Sequence, residues 1–476
     1  MHSRIKSLAL FYGASVSFGF GLIANAGNPQ RVDHAVFLPR RSNPDDGGLY
    51  NAFIDPPNGY AYFLGNYLTK VDITVDPPRP VGPPLNTGSS SYVAIDLMMG
   101  YGYICRPPAL NRYSLGAGTN AITAAGSLTP AVGFPGPFFV DDSNPDPAFH
   151  YGYLFCISAN SPTRISKIAL SSFTEVSFTN LNPEETRGGS GLVDTTNRYI
   201  YFATGTTNST NAELVKIKMT PGTNAPQRVA ALSIDTQGQG FGFGSLDPVH
   251  GYSYYGTYGN TNLPSKIYKV KLGDGNAAPT LVGSIDLHEG QARLSLSVID
   301  PANGFVYFAN DNTYPGGVHQ FSLNGTNLPV EIGYFPFQSG PSNNPPQGVS
   351  TFNVTTDLDG VLPYGEVYFR SAVFDPVRGF AYFGQDSKPN QIVKFKLATV
   401  HPFTLGGSRT PGGTFQIVFT NIWGGSFSTS VATNLGQPAG SWMSLGSATE
   451  ISPGQYQFTD PQPASDARRF YRVRGP

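Results

Sequence analysis

One phrase recurs seven times along the chain, and it leaves few architectures open. At its first occurrence it reads Asp55-Pro-Pro-Asn-Gly59-Tyr60-Ala-Tyr62, and it returns from Asp96, Asp146, Asp194, Asp247, Asp300 and Asp375. In every copy an aromatic stands five residues after the Asp and a tyrosine seven after it. The first half is tight-turn chemistry. An Asp side chain hydrogen-bonds its own backbone, Pro presets φ, and Gly accepts a positive φ. An apolar run precedes each Asp, as in Asn51–Ile54 or Leu296–Ile299, and an alternating run that usually carries a basic residue follows the tyrosines. Lys266–Leu272, Gln391–Leu397 and Arg164–Ile168 are examples; period-2 alternation of this length marks a half-buried strand. Better copies add a fourth run, Pro279–Ile285 or Pro329–Phe335.

Four strands per unit, repeated at intervals of 41 to 53 residues with one interval of 75, predicts an all-β, seven-bladed β-propeller. Composition agrees. Only 13% of residues are charged, while 33 Phe, 26 Tyr, 56 Gly and 41 Pro fit aromatic strands joined by turns rather than helices. A net charge of −1 gives no basic footprint for nucleic acid.

The seven phrases resemble the YVTN-type β-propeller repeats of exported and surface-layer bacterial proteins. That resemblance covers about residues 30–398; it implies the architecture and says little about function. The match is looser in units two and four, which lack the Pro, and in unit three, where five residues are inserted before Asp146.

An address precedes the repeats. Arg4 and Lys6 lead into an apolar stretch from Leu8 to Ile23, and Ala24-Asn25-Ala26 offers small residues at the positions read by a signal peptidase. Cleavage after Ala26 is expected, with residues 27–398 forming the propeller. No further segment is apolar enough to span a membrane, so the product is expected to be exported to the periplasm, cell surface or medium, as a monomer. Gln30–Phe37 alternates like a strand and belongs to no unit, while unit seven lacks its fourth strand. Residues 31–38 are therefore predicted to pair with Gln391–Leu397 and close the ring, removing its open edge.

Beyond residue 398 the pattern changes. Residues 399–413, which include Gly406-Gly-Ser-Arg-Thr-Pro-Gly-Gly413, read as a linker. Residues 414–476 read as a small β-sandwich, with strands at Phe415–Thr420, Phe427–Thr433, Gln455–Thr459 and Arg469–Val473. This segment resembles a short C-terminal β-module of exported planctomycete and verrucomicrobial proteins. It holds both tryptophans. Trp442 is expected in its core, and Trp423, beside Gly424-Gly425, is a candidate for stacking on a sugar.

Other candidate residues are sparse. Arg187 and Arg293 stand seven residues before their repeat Asp, where unit five has Gly240, and Arg370 lies two positions further along unit seven. An arginine-lined mouth would suit a carboxylate or phosphate, although Glu185, Glu289 and Glu366 lie just upstream as alternative partners. Asp142, Asn144 and Asp146 have the alternating oxygens of a calcium loop, but the rest of an EF-hand is missing and turn chemistry explains them as well. His150 and His250 fall at variable turn positions and are expected to be exposed. Cys105 and Cys156 occupy matching strands of neighbouring units, one residue out of register. Their side chains therefore point toward each other or both away, as a disulfide or as two buried thiols.

No nucleophile elbow or His-Glu-x-x-His is present. The leading expectation is a binding protein for a protein, glycan or small molecule. The alternative is an enzyme of the lactonase or glycan-lyase kind, since a fold does not fix a function.

Overall fold

The computed structural model describes residues 30–31, 36–37, 48–88, 92–144, 146–157, 162–186, 188–204, 211–257, 263–287, 293–310, 317–323, 325–336, 369–385, 391–397, 404–410, 413–420, 427–434, 441–452, 455–461 and 469–474. Residues 1–29, where a signal peptide is expected, Arg187, Trp423 and the long interval at residues 337–368 lie outside them. Apart from one 3-10 turn at Pro147–Phe149, the secondary structure described is strand.

Seven antiparallel sheets of four or five strands occur before residue 398 among the described residues. Their innermost strands neighbour one another in chain order, and that of the seventh (Phe369–Asp375) packs beside that of the first (Asn51–Asp55). The architecture is a β-propeller, and the sheets are numbered here as blades 1 to 7. Closure follows the expected route. Gln30–Arg31 pairs with Lys396 and Phe395, and Val36–Phe37 with Ile392 and Gln391, so the N-terminal segment completes blade 7.

The repeat phrase is the turn between the inner strand and the second strand. Its Asp pairs with the first aromatic, as in Asp55↔Tyr60 and Asp247↔Tyr252. The carboxylate then staples the turn. Asp194 Oδ1 accepts the backbone N–H of Asn197 at 2.8 Å, and Oδ2 accepts the Asn197 side-chain amide at 2.9 Å. Asn58, Asn303, His250 and Arg378 supply the same side-chain donor to Asp55, Asp300, Asp247 and Asp375. The residue before the aromatic takes a left-handed conformation, with φ of 74° at Gly251 and 64° at Arg198.

Blade 3 corrects the sequence reading. Its Asp141, not Asp146, pairs with Tyr151, so the insertion follows the repeat Asp instead of preceding it. Asp141 Oδ1 accepts from Ser143, while Oδ2 finds its side-chain donor in blade 4, where Arg198 Nη2 lies 2.8 Å away. Asp96 of blade 2 has Met99 at the donor position and is met by His150 Nδ1 of blade 3 at 3.3 Å. His150 is therefore fully buried, contrary to expectation, and its Nε2 donates to the Asn144 carbonyl at 2.6 Å.

A second device joins blade to blade. In all seven blades the second tyrosine of the phrase pairs across the sheet with one polar residue: Lys70, Arg112, Lys167, Lys216, Lys269, Gln320 and Lys394. The ammonium lies over the ring of the first aromatic, 4.2 Å from the centroid for Lys70 over Tyr60 and 4.3 Å for Lys269 over Tyr252. It then donates to carbonyls of the next blade. Lys216 reaches Leu272 O (3.0 Å), Gly273 O (2.7 Å) and Ala277 O (3.1 Å), and Lys70 and Lys269 make equivalent triplets. Arg112 donates to Leu170 O of blade 3, and Lys394 closes the ring on Asp76 of blade 1. Blade 6 has Gln320 instead. There an apolar cluster that includes Leu296, Phe305, Tyr307, Phe369, Phe383 and Phe395 spans the boundary to blade 7.

The C-terminal segment forms two sheets, one of four strands and one of three. Thr404–Arg409 pairs with Phe415–Thr420, so the middle of the expected linker is a strand of the module. Its core is Ile417, Phe419, Phe427, Val431, Tyr456, Phe458 and Tyr471. Trp442 is only partly buried and does not belong to that core.

Two outcomes test this account. Lys269→Met leaves three carbonyls without their charged donor and should cost about 2–3 kcal/mol, seen as a lower urea midpoint. Gln320→Met should cost under about 1 kcal/mol, and equal effects would contradict the clasp. Second, burial pushes the phenols of Tyr62, Tyr103, Tyr153, Tyr201, Tyr254 and Tyr382 far above 10. Above pH 10 the unfolded chain loses protons that the folded chain keeps, so stability falls by up to about 1.4 kcal/mol per group per pH unit. Phenolate absorbance at 295 nm should rise together with loss of circular dichroism in one steep transition. Gradual ionisation of an intact fold would refute it.

Candidate binding sites

The end of the ring where the inner strands begin, opposite the Asp turns, has its own local structure. In blades 3 to 7 the pairing of inner and second strands shifts register near that end, which marks a bulge. Arg370 sits in the bulge of blade 7, between Phe369↔Gln385 and Ser371↔Gly384. Bulges re-aim side chains, and this one displaces an arginine from the regular pleat.

Arg293, just before the inner strand of blade 6, has a φ of 62°. Gly240 stands at the matching position of blade 5 with a φ of 64°. The backbone therefore keeps a glycine conformation where the residue is arginine, at a cost of about 1–2 kcal/mol. A buried network holds it there. Arg293 N–H donates to Ser265 Oγ at 2.8 Å, and Ser265 Oγ donates to Thr257 O at 3.2 Å. The Thr257 hydroxyl donates to Gln239 Oε1, and Gln239 Nε2 donates to Pro264 O. Gln239, Thr257 and Ser265 are all buried. Nothing in the sequence pattern announces this network; only pairing brings its three segments together.

Among the described residues the remaining candidates do not assemble with these two arginines. Glu185, an expected partner for the mouth arginines, instead holds Arg228 in a bidentate pair, with Nε at 2.7 and 2.9 Å. Asn144 Oδ1 accepts the Asp146 N–H at 2.9 Å and Asp146 Oδ1 accepts that of Ala148 at 3.0 Å, so both oxygens serve turns. Burial pushes the Asp142 carboxyl up, and Asp96 and Asp141 add to the effect. Among the described residues no three His, Cys, Asp or Glu side chains are grouped to hold a metal ion. Cys105 and Cys156 meet in one apolar cluster with Tyr103, Leu110, Phe138 and Leu154, unbridged. Burial pushes the Cys156 thiol up to about 11, which leaves it a poor nucleophile.

Comparison with solved structures agrees with the fold. Hydrazine synthase from Kuenenia stuttgartiensis is 10% identical over 75% of this chain and 97% of that one, with a TM-score of 0.54. The Dos1 propeller (10% identity, 74% and 80% covered) has a TM-score of 0.48. A Bacteroides uniformis protein provisionally assigned as a 6-phosphogluconolactonase (11%, 75% and 88%) has one of 0.47. At these identities the likeness is one of fold alone. No family model and no curated protein matches the chain, so the YVTN-type resemblance remains a resemblance of repeats.

Proposed function

We propose that the chain is an exported β-propeller that binds an anionic ligand, carboxylate or phosphate, at the end of the ring where the inner strands begin. The observation that carries this reading is Arg293. A residue in a glycine conformation, braced by buried polar groups, is the kind of strain that persists where a side chain has work beyond the fold. Arg370 in its bulge lies at the corresponding end of the next blade. Export rests on Arg4, Lys6 and the stretch from Leu8 to Ala26. A lactonase-like enzyme, the other reading, would draw on carboxylates converging on the channel, and the inner strands offer mainly small and aliphatic residues.

Arg293→Gly separates binding from structure. It relaxes the backbone and should raise stability by roughly 1 kcal/mol. In calorimetric titration with a panel of di- and tricarboxylates and phosphate monoesters, the parent should bind at least one, and the variant should bind it at least tenfold more weakly. No binding by the parent, or binding unchanged in the variant, sinks the reading. A less stable variant would show that the arginine serves the fold instead.

A further inference from the structure

The boundary between blades 3 and 4 carries an open groove of about 910 Å³, at the upper end of the size range of ligand pockets. One lip is the end of the outer strand of blade 3 (Thr174–Asn180) and the loop after it; the other is the hairpin at residues 218–228 of blade 4. The lips are tied together from behind. Thr179 Oγ1 donates to Pro226 O at 2.5 Å, and the Lys167 ammonium of blade 3 donates to Thr220 O and Asn224 O. Thr220 Oγ1 lies within hydrogen-bond reach of two carbonyls inside the hairpin, Asn224 O (2.7 Å) and Ala225 O (3.0 Å), and shares its one proton between them.

The deepest tie is ionic. Glu185 is the only fully buried glutamate among the described residues; it grips Arg228 and accepts the Asn182 N–H at 2.8 Å. A buried carboxylate is costly to keep and contributes little net stability even when paired. What it does here is fix the relative position of two lips from different blades, before any ligand arrives.

The groups left facing the groove share a character. Asn180, Asn224 and Gln227 present side-chain amides that make no bond to the described residues, and each offers both donors and an acceptor. Hydroxyl groups need that pairing, because each donates once and accepts as well. Pro221, Ala225 and Pro226 supply short apolar surface between the amides. No carboxylate is among the described residues lining the groove; Arg228 is paired with Glu185, with Glu184 and Glu213 also near it, and Lys218 is the other cation of the lining.

The geometry points to a saccharide-binding groove, selective for an oligosaccharide that carries an acidic group near Lys218. It is separate from the arginines of the proposed mouth and does not depend on them. Calorimetric titration of the full-length mature protein with trigalacturonic acid and with neutral galactotriose is the test. Trigalacturonic acid should bind at least tenfold more tightly than the neutral trisaccharide. Asn180→Ala/Gln227→Ala should weaken both at least tenfold, and Lys218→Ala should abolish the preference. Because trigalacturonic acid also carries carboxylates that the proposed mouth could hold, each titration is repeated in the Arg293→Gly background, where the binding that remains belongs to the groove. Absence of binding to either sugar at millimolar concentration, equal affinity for the two, or binding undiminished in the double variant overturns the assignment.

Discussion

A lysine ammonium laid over an aromatic ring and pointed into the next blade is the contact on which the rest of this ring depends. Sheets alone would pack face to face through apolar side chains, and such packing fixes area better than angle. Donation to carbonyls that terminate a neighbouring strand is directional, so each clasp sets where the next blade lies. The cost is desolvation. Burial pushes the amines of Lys167 and Lys269 down to about 8, and those of Lys70 and Lys216 in the same direction. At neutral pH they remain charged, held by carbonyl oxygens on one side and a ring face on the other. Tyrosine at the second aromatic position completes the seat: in every blade it lies directly across the sheet from the clasp residue and is buried.

The turn staple obeys a similar economy, and its exceptions show that the requirement is chemical and not sequential. A buried carboxylate needs its donors, whichever chain segment provides them. Met99 gives Asp96 only its backbone N–H, and a histidine from the next blade meets the other oxygen; Ser143 serves Asp141 Oδ1, and Arg198 reaches back from blade 4 to Oδ2. In both cases a defect inside one repeat becomes a bond between two, which strengthens the ring where the repeat is weakest.

Much of this was legible in the sequence because the phrase is made of residues with narrow conformational meaning: Asp, Pro and Gly at a turn, aromatics alternating in a strand. The ring closure was legible for a related reason, since a blade short of one strand and a strand without a blade explain each other. What could not be read were choices made by tertiary contact. Spacing favours Asp146, five residues before Tyr151, and only the pairing of Asp141 with Tyr151 overrules it. Gly406-Gly407-Ser408 has linker composition, yet pairing with Gln416-Ile417-Val418 holds it as a strand. Trp442 has the bulk for a core already filled by Phe419, Phe427, Tyr456 and Phe458. His150 looks like a solvated turn residue until the buried Asp96 is seen to require it.

Departures from a repeat sort into two kinds, and the sorting bears on function. Gln320 is a departure the fold tolerates: an apolar cluster lies between blades 6 and 7 as it does at the other boundaries, and there it holds without the clasp. His150 and Arg198 are answered by the carboxylates they serve. Arg293 departs in another way: the backbone would be easier with glycine, as Gly240 shows, and a buried network holds its N–H in that conformation. The Glu185–Arg228 pair likewise repairs nothing in the phrase or the clasp, and stands behind a groove whose exposed amides make no bond to the described residues. A repeat architecture makes its structural needs explicit seven times over. Residues that incur strain or desolvation without meeting one of those needs are where binding is best sought.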